Sequence, residues 1–441
     1  MFSLNQNKKW VMLIVAIVFP FVVAGTAQAG WGWLEKQKLL AFDADDNDQF
    51  GISVSISGDY AIVGAPNDND KGTDSGSAYI FWWDGTSWVQ QAKLLASDGD
   101  AIDFFGYSVS ISGDYSIVGA GGDDDKGNWS GSAYIFKRDG AAWVQQAKLL
   151  ASDGAAGDEF GISVSISGDH AIVGAYEDDD KGTDSGSAYI FKRDGETWSQ
   201  QQKLLASDGA VEDYFGVAVS ICDDLAIIGA IGDDDKGNYS GSAYIFKWTG
   251  TSWSQQAKLL AADGAADDWF GISVSISGDY AIVGADQYYN SSGTGKAYIF
   301  ERSGANWVQK PKLTASDGTE QDKFGICVSI SGDYAIVGAY LDDAKGSNSG
   351  SAYIFKRKGT AWVQEKKLLA SDGAQGDQFG WSVSISGDYA IVGARGDDDR
   401  GNASGSAYLF QRVCPITDVT GDCFVDFADF AIMAGEWLQG D

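Results

Sequence analysis

A Phe-Gly pair recurs along this chain at an almost constant spacing, and this periodicity limits the possible folds more than any other feature. The successive steps are 55, 55, 55, 55, 54 and 55 residues. The pairs begin at Phe50, Phe105, Phe160, Phe215, Phe270, Phe324 and Phe379. A fixed period of this length indicates an array of similar units, each of which buries its apolar faces against its neighbours.

Each copy contains four strand-like segments, which we name A to D. In the third copy, residues 162–167 alternate Ser with Ile and Val, the period of two expected of a strand. Residues 170–175, 187–192 and 198–206 form the other three. A Ser-Gly-Asp turn joins A to B, and a long acidic loop joins B to C. Four antiparallel strands at a fixed period are typical of a propeller blade.

The two ends of the repeated region predict a closed ring. The last copy ends after strand C, at residues 406–411, whereas residues 33–41 match the strand D at 362–370. The first strand therefore completes the seventh blade and removes two exposed sheet edges. We predict an all-β fold, a seven-bladed β-propeller of four-stranded blades closed by the N-terminal strand. The alternative, an open β-solenoid, would have a shorter repeat and capping ends.

The N-terminus has the features of an export signal. Lys8 and Lys9 precede the apolar stretch 10–25, and Ala27-Gln28-Ala29 provides a small-x-small cleavage pattern. This predicts a signal peptide over residues 1–29 and a secreted or cell-surface protein, with no membrane insertion after cleavage. The alternative is an uncleaved anchor, for which the stretch is short.

The chain is strongly acidic, with 31 Lys+Arg against 62 Asp+Glu and a net charge of -31. This charge argues against nucleic acid and anionic membranes as partners, because both require basic patches. It favours cations, cationic partners or neutral ligands. A simpler interpretation is that the charge provides solubility.

Because strand direction alternates, the B–C loops and the D–A loops share one face, and both are rich in aspartate. Crowded carboxylates repel one another, and Ca²⁺ would relieve that repulsion. We therefore take a set of loop residues as candidate Ca²⁺ ligands: Asp178, Asp180, Asp184, Asp233, Asp235, Asp397 and Asp399. The alternative is that these are solvated turns, partly neutralised by nearby lysines.

The composition changes after Arg412, and residues 413–441 form a separate segment. Its spacing fits a calcium loop followed by a short helix. The candidate ligands are Asp418, Thr420, Asp422, the Phe424 carbonyl, Asp426 and Asp429. Cys414 precedes the loop and Cys423 takes its sixth position, and the two could form a disulfide in an exported protein.

The Phe-Gly pairs, together with Val-Gly-Ala-Pro at 63–66, resemble the FG-GAP repeat family, best known from the integrin α head. The resemblance covers 33–412, within a predicted propeller domain at 30–412, and implies a binding or adhesion module. Integrin-type calcium loops lie between strands A and B, where this chain has only Ser-Gly-Asp, as in a shorter bacterial subtype. Residues 418–438 resemble one dockerin repeat, which implies docking to a cohesin-like domain.

Little in the sequence indicates catalysis. His170 is the only histidine, and it occupies a strand B position where most copies have Tyr. The carboxylates recur in every blade, whereas an active site should depart from the repeat. The tryptophans that begin strand D could stack on sugars, but a repeated packing role explains them better. We predict a binding module for an extracellular protein or glycan, not an enzyme. A structural component of an extracellular assembly and a polysaccharide-acting enzyme are the alternatives.

Overall fold

The computed structural model describes residues 32–287, 293–414 and Ile432. The predicted signal peptide and the candidate ligands of the C-terminal calcium loop lie outside the described residues. Within the described part, residues Glu35–Gln411 form one compact unit. No helix among the described residues is long and apolar enough to cross a bilayer.

The described strands form seven four-stranded sheets, ordered A-B-C-D in space. Blade 1 is β2 (Val54–Ser57), β3 (Tyr60–Ala65), β4 (Ser77–Trp83) and β5 (Trp88–Leu94). Blade 2 is β6 (Ser108–Ser112), β7 (Tyr115–Ala120), β8 (Ser132–Asp139) and β9 (Ala142–Leu149). Blade 3 is β10 (Ser163–Ser167), β11 (His170–Ala175), β12 (Ser187–Asp194) and β13 (Thr197–Leu204). Blade 4 is β14 (Phe215–Cys222), β15 (Leu225–Ala230), β16 (Ser242–Trp248) and β17 (Trp253–Leu259).

The remaining three blades follow the same order. Blade 5 is β18 (Val274–Ser277), β19 (Tyr280–Ala285), β20 (Lys296–Ser303) and β21 (Asn306–Gln309). Blade 6 is β22 (Val328–Ser331), β23 (Tyr334–Ala339), β24 (Ser351–Lys358) and β25 (Ala361–Leu368). Blade 7 is β26 (Phe379–Ser386), β27 (Tyr389–Ala394), β28 (Ser406–Val413) and β1 (Gly32–Leu39). The predicted closure of the seventh blade by the N-terminal strand is confirmed.

The serines of strand A connect neighbouring blades into a ring. The N–H of Ile166 in blade 3 donates to Ser110 Oγ of blade 2 at 3.2 Å. The same bond closes the ring, because Ile56 N–H of blade 1 donates to Ser384 Oγ of blade 7 at 3.2 Å. Strand A alternates Ser with larger apolar residues because its Ser face meets the next blade and its apolar face fills the core. The closed ring rules out the open solenoid.

The signature glycines allow two blades to touch through their backbones. Gly174 of blade 3 packs so closely on Gly216 of blade 4 that an added Cβ would lie 2.0 Å from the Gly216 carbonyl oxygen. Phe215 beside it is fully buried and packs edge-on against Tyr244 at 5.4 Å. The Phe-Gly and Gly-Ala signatures are therefore the two halves of one interblade contact.

The strand D tryptophans pack between blades, as predicted. Trp198 of blade 3 lies edge-on to Tyr115 of blade 2, with ring centroids 6.1 Å apart, and its Nε1 donates to Gln146 at 3.0 Å. His170 takes the place of such a tyrosine and packs against Trp253 at 5.8 Å. The role of His170 as a packing variant is thus confirmed.

The cysteines divide into two groups. Cys222 and Cys327 are free thiols, as their serine-like positions in the repeat predict. Cys414 is disulfide-bonded. Its predicted partner, Cys423, lies outside the described residues.

Candidate functional site

Each rim cluster is a group of aspartates gathered around one strand D lysine on the acidic face. In blade 3, Lys203 Nζ lies 2.9 Å from Asp153 Oδ2, 2.7 Å from Asp178 Oδ2 and 2.8 Å from Asp180 Oδ2. The Tyr189 hydroxyl donates to Asp178 at 3.0 Å. Asp153 comes from the D–A loop and Asp178 from the B–C loop, so the two acidic loops do share one face.

The rim clusters recur with one lysine each. Their lysines are Lys38, Lys93, Lys148, Lys203, Lys258 and Lys367. In blade 6, Ala344 stands where the third aspartate would be, so Lys367 pairs with two. In blade 5, which lacks the B–C aspartates, Lys312 pairs with Asp263 at 2.6 Å. The described acidic face therefore carries many internally neutralised charges.

The electrostatics of a rim cluster favour the ionised lysine. Burial lowers the pKa of Lys203, but hydrogen bonds to Asp178, Asp180, Tyr189 and Asp153 outweigh burial and raise it overall. Burial also raises the pKa of Asp153, and the bond from Lys203 reverses this, so the pKa of that carboxyl is lowered. The ammonium is fixed as a charged group among its carboxylates.

Six of the seven loop residues predicted to bind Ca²⁺ lie in three rim clusters. Asp178 and Asp180 surround Lys203, Asp233 and Asp235 surround Lys258, and Asp397 and Asp399 surround Lys38. Oxygens of Asp208, Asp233 and Asp235 lie within 4.8 Å of one another, close enough to share a metal ion. The Lys258 ammonium lies 2.6–2.9 Å from the same oxygens.

Asp184, the seventh, takes part in the turn. Its backbone N–H donates to Asp179 Oδ1 at 2.9 Å, and its carbonyl accepts from Tyr214 N–H at 3.0 Å. It therefore helps to join blade 3 to blade 4.

The second aspartate of each D–A pair has a structural role. Asp213 is 6% exposed, and its Oδ2 accepts the N–H of Ala210 at 2.7 Å. Burial raises the pKa of Asp213 to about 6, with Asp233 contributing in the same direction. These buried carboxyls hold the loop in shape.

A different set of residues varies from blade to blade near the start of each strand A. Those of blades 1, 2 and 3, with Arg395 of blade 7, line a cavity. Three positions vary: the residue before Phe-Gly, the residue after Phe-Gly, and the residue after Gly-Ala. The first set is Gln49, Phe104, Glu159, Tyr214, Trp269, Lys323 and Gln378. The second is Ile52, Tyr107, Ile162, Val217, Ile272, Ile326 and Trp381. The third is Pro66, Gly121, Tyr176, Ile231, Asp286, Tyr340 and Arg395.

We name the cavity between blades 1, 2, 3 and 7 the axial pocket. Its volume is about 260 Å³, near the lower end of small-ligand sites. It is lined by Gln49, Ile52, Pro66, Asn67, Phe104, Tyr107, Gly121, Gly122, Trp129, Glu159, Ile162, Tyr176 and Arg395. A neighbouring cavity of about 360 Å³ shares Gln49 and Arg395 with it.

The backbone beneath these side chains is strained. All seven residues before Phe-Gly have φ between 50° and 60°, for example Phe104 at 53° and Glu159 at 50°. Glycine would adopt this left-handed conformation at little cost, yet no blade has glycine there. Strained residues of this kind concentrate at ligand sites. The side chains at this position are thus retained at an energetic cost.

Two charged groups of the axial pocket have unusual surroundings. Arg395 donates from Nε to Gln378 Oε1 at 2.8 Å, and its guanidinium carbon lies 3.2 Å from the centre of the Trp381 ring. Burial lowers the pKa of Arg395. Burial raises the pKa of Glu159 to about 7, with Glu177 adding to the effect and Tyr176 opposing it. The pocket therefore offers one cation and one weakly acidic carboxyl between aromatic walls.

The axial pocket was not predicted from the sequence. The residues predicted to bind a ligand lie in the long acidic loops, whereas the pocket is formed at single positions beside the signatures. A position-by-position comparison of the seven copies would have found them, since the neighbouring Phe-Gly and Gly-Ala pairs hardly change.

Comparison with known families agrees with this architecture. A family model described as FG-GAP repeat matches the chain seven times, at residues 33–81, 88–136, 143–191, 198–246, 253–300, 307–355 and 362–410. Each match begins at a strand D and ends at the strand C of the next blade, so every sequence repeat spans two blades. Such propellers are typically binding or adhesion domains. Since the matches cover most of its length, this chain belongs to the FG-GAP repeat family.

Proposed function

We propose that this protein is an exported, non-catalytic binding module whose ligand occupies the axial pocket. One observation supports the proposal above all: the repeat varies at the positions that line this cavity, and three of them, Gln49, Phe104 and Glu159, have a strained backbone. A scaffold alone would favour the same small residue in every blade. Varied side chains around one cavity are typical of ligand recognition.

The walls of the pocket are suited to holding a ligand. Phe104 and Trp129 form an aromatic pair in the wall, with ring centroids 5.7 Å apart. Trp381 does not line the pocket, but it packs on Arg395 and pairs with Tyr340 at 4.7 Å. Aromatic walls with a few polar groups give both contact area and orientation.

The test is to fill the pocket with a residue that the repeat already uses. Gly121 lines the pocket, and an added Cβ would make only ordinary van der Waals contacts, the nearest with Ile162 at 3.9 Å. Blades 3 and 6 have tyrosine at the same position, so Gly121→Tyr should fold normally. We expect this variant to lose binding to any ligand found on a glycan and peptide panel.

The matched control places a tyrosine on the opposite face. Asp139 is exposed at the end of strand C of the same blade, next to the C–D turn, so Asp139→Tyr should leave binding unchanged. Ligand binding that survives Gly121→Tyr at full affinity would contradict the proposal.

One observation favours a second candidate, a polysaccharide-acting enzyme. A carboxyl with a pKa near 7, as at Glu159, is suited to general acid catalysis. Release of soluble products from the glycan panel by the native protein, and their loss in Glu159→Gln, would favour this candidate over the binding module.

Three features complete the proposal and remain predictions of the sequence. The signal peptide would export the protein, and the dockerin-like segment at 413–441 would tether it to a cohesin-like partner. Calcium would be bound by the C-terminal loop and by the acidic rim. At the rim, Ca²⁺ would have to displace a lysine that already neutralises each cluster.

A further inference from the structure

We infer that the axial pocket binds the carboxylate of an acidic sugar, a uronic acid at the end of a glycan. This inference rests on the proposed function, because it specifies the ligand of the same pocket. Arg395 carries the argument.

Arg395 differs from the rim lysines. The rim lysines contact two or three carboxylates each. No carboxylate of the described residues lies within ion-pair distance of Arg395, although the chain has twice as many acidic as basic residues. A half-buried guanidinium without a counterion is costly unless something else neutralises it. An anionic ligand would do so.

The guanidinium is also held in a fixed orientation. Gln378 accepts from Nε, and the Trp381 ring covers one face of the group. The two terminal nitrogens remain, and Arg395 borders both cavities. A guanidinium fixed in this way is suited to bind a planar carboxylate through two parallel hydrogen bonds.

The rest of the pocket selects the kind of anion. The net charge of -31 repels polyanions, which favours a ligand that brings a single carboxylate into the pocket. The Phe104 and Trp129 rings offer apolar faces against which a sugar ring can stack. Gln49, Asn67 and Glu159 supply amide and carboxyl groups for its hydroxyls. A uronic acid combines these three requirements.

The experiment measures binding of D-glucuronate and D-galacturonate by calorimetry, with D-glucose and D-galactose as uncharged counterparts. We expect the uronates to bind at least about tenfold more tightly than the neutral sugars, the difference that one charged hydrogen-bonded pair supplies. Arg395→Gln should remove this difference, and Arg395→Lys should restore only part of it. Other blades have Pro, Gly, Tyr, Ile or Asp at this position, so the variants should fold.

Arg400→Gln is the matched control, since Arg400 lies exposed in the same B–C loop and lines neither cavity. It should bind uronates like the native protein. Equal affinity for uronates and neutral sugars, or undiminished uronate binding in Arg395→Gln, would overturn the inference.

Two outcomes separate this inference from the proposed function. If uronates do not bind but another panel ligand is lost in Gly121→Tyr, the acidic-sugar inference fails and the binding pocket stands. If uronates bind and Gly121→Tyr leaves that binding intact, the site lies elsewhere and both fail.

Discussion

The rim clusters and the axial pocket lie on the same propeller, and they differ in whether their charged groups have a counterion within the protein. A rim cluster repeats from blade to blade and contains its own counterion, as Lys203 does among Asp153, Asp178 and Asp180. The axial pocket occurs once, and Arg395 in it has no carboxylate partner among the described residues. The repeated charge of a rim cluster is therefore satisfied internally, whereas the unrepeated charge of Arg395 is left available to a ligand.

The largest expected effect comes from removing a rim lysine. Lys258→Met would leave Asp208, Asp233 and Asp235 without their counterion, and Asp233 is buried. Breaking a buried ion pair on one side costs about 3–5 kcal/mol, so we expect a clearly lower melting temperature by calorimetry. Lys236→Met is the control, because Lys236 is exposed in the B–C loop of the same blade. Equal melting temperatures for the two variants would mean that the rim charge is merely solvated.

The Lys258→Met variant also tests whether a rim cluster can bind Ca²⁺. Without the ammonium, three carboxylates would be free to coordinate Ca²⁺. Millimolar Ca²⁺ should therefore raise the melting temperature of Lys258→Met more than that of the native protein. An equal rise in both would indicate that Ca²⁺ displaces the lysine or binds elsewhere.

A smaller effect is expected where the rim buries a carboxyl without a lysine. The pKa of Asp213 in the folded protein is about 6, above its ordinary value. Between about pH 4 and 6 the folded protein therefore binds more protons than the unfolded chain does. Asp213 therefore destabilises the fold as pH rises through this window. Asp213→Asn keeps the acceptor for the Ala210 N–H and should stabilise the protein at pH 7 by about 1–2 kcal/mol.

The stabilities of Asp213→Asn and of a control variant should be compared with that of the native protein at pH 4 and at pH 7. The gain from Asp213→Asn should shrink as pH falls and be small at pH 4, where the folded carboxyl is protonated and the unfolded one is about half protonated. Asp139→Asn removes the same charge from the exposed end of a strand C and should change little at either pH. A gain from Asp213→Asn that is the same at pH 4 and pH 7 would show that titration is not its cause.

The sequence predicted the repeated part of the molecule well because each copy confirms the others. In blade 3, strand B was predicted at 170–175, where β11 lies, whereas strand D was predicted to extend to 206 and β13 ends at Leu204. Residues 205 and 206 belong instead to the D–A loop that leads to blade 4. This loop carries Asp208, which is equivalent to Asp153 of blade 3. Strand ends depend on such loop contacts, which a period of two does not record.

The axial pocket was harder to predict because it is assembled by ring closure. Arg395 and Tyr107 line the same cavity although they belong to blades 7 and 2. The rim lysines were also missed: the sequence suggested the loop lysines, such as Lys181, as counterions, whereas Lys203 of strand D reaches the carboxylates. Which face a strand D side chain occupies follows from the packing of the blade, not from its spacing.

The smallest expected effect concerns His170, an unrepeated residue outside the axial pocket. It packs on Trp253 as tyrosines do in other blades, but its Nε2 is buried without a hydrogen-bond partner in the described structure. Burial lowers the pKa of His170, and Lys192 lowers it further. The unfolded chain therefore binds a proton more readily, and this residue's contribution to stability is lost as pH falls through about 6.5.

His170→Tyr should accordingly stabilise the protein by no more than about 1 kcal/mol, through the larger aromatic contact, and by more at pH 5 than at pH 8. The reverse change in blade 1, Tyr60→His, should destabilise, since Tyr60 packs on Trp143 at 5.9 Å beneath Arg138. Melting curves of both variants at the two pH values measure this. If His170→Tyr instead weakened ligand binding without changing stability, then His170 would have to be counted with the axial pocket, and the division between repeated scaffold and unrepeated site would extend beyond the axis.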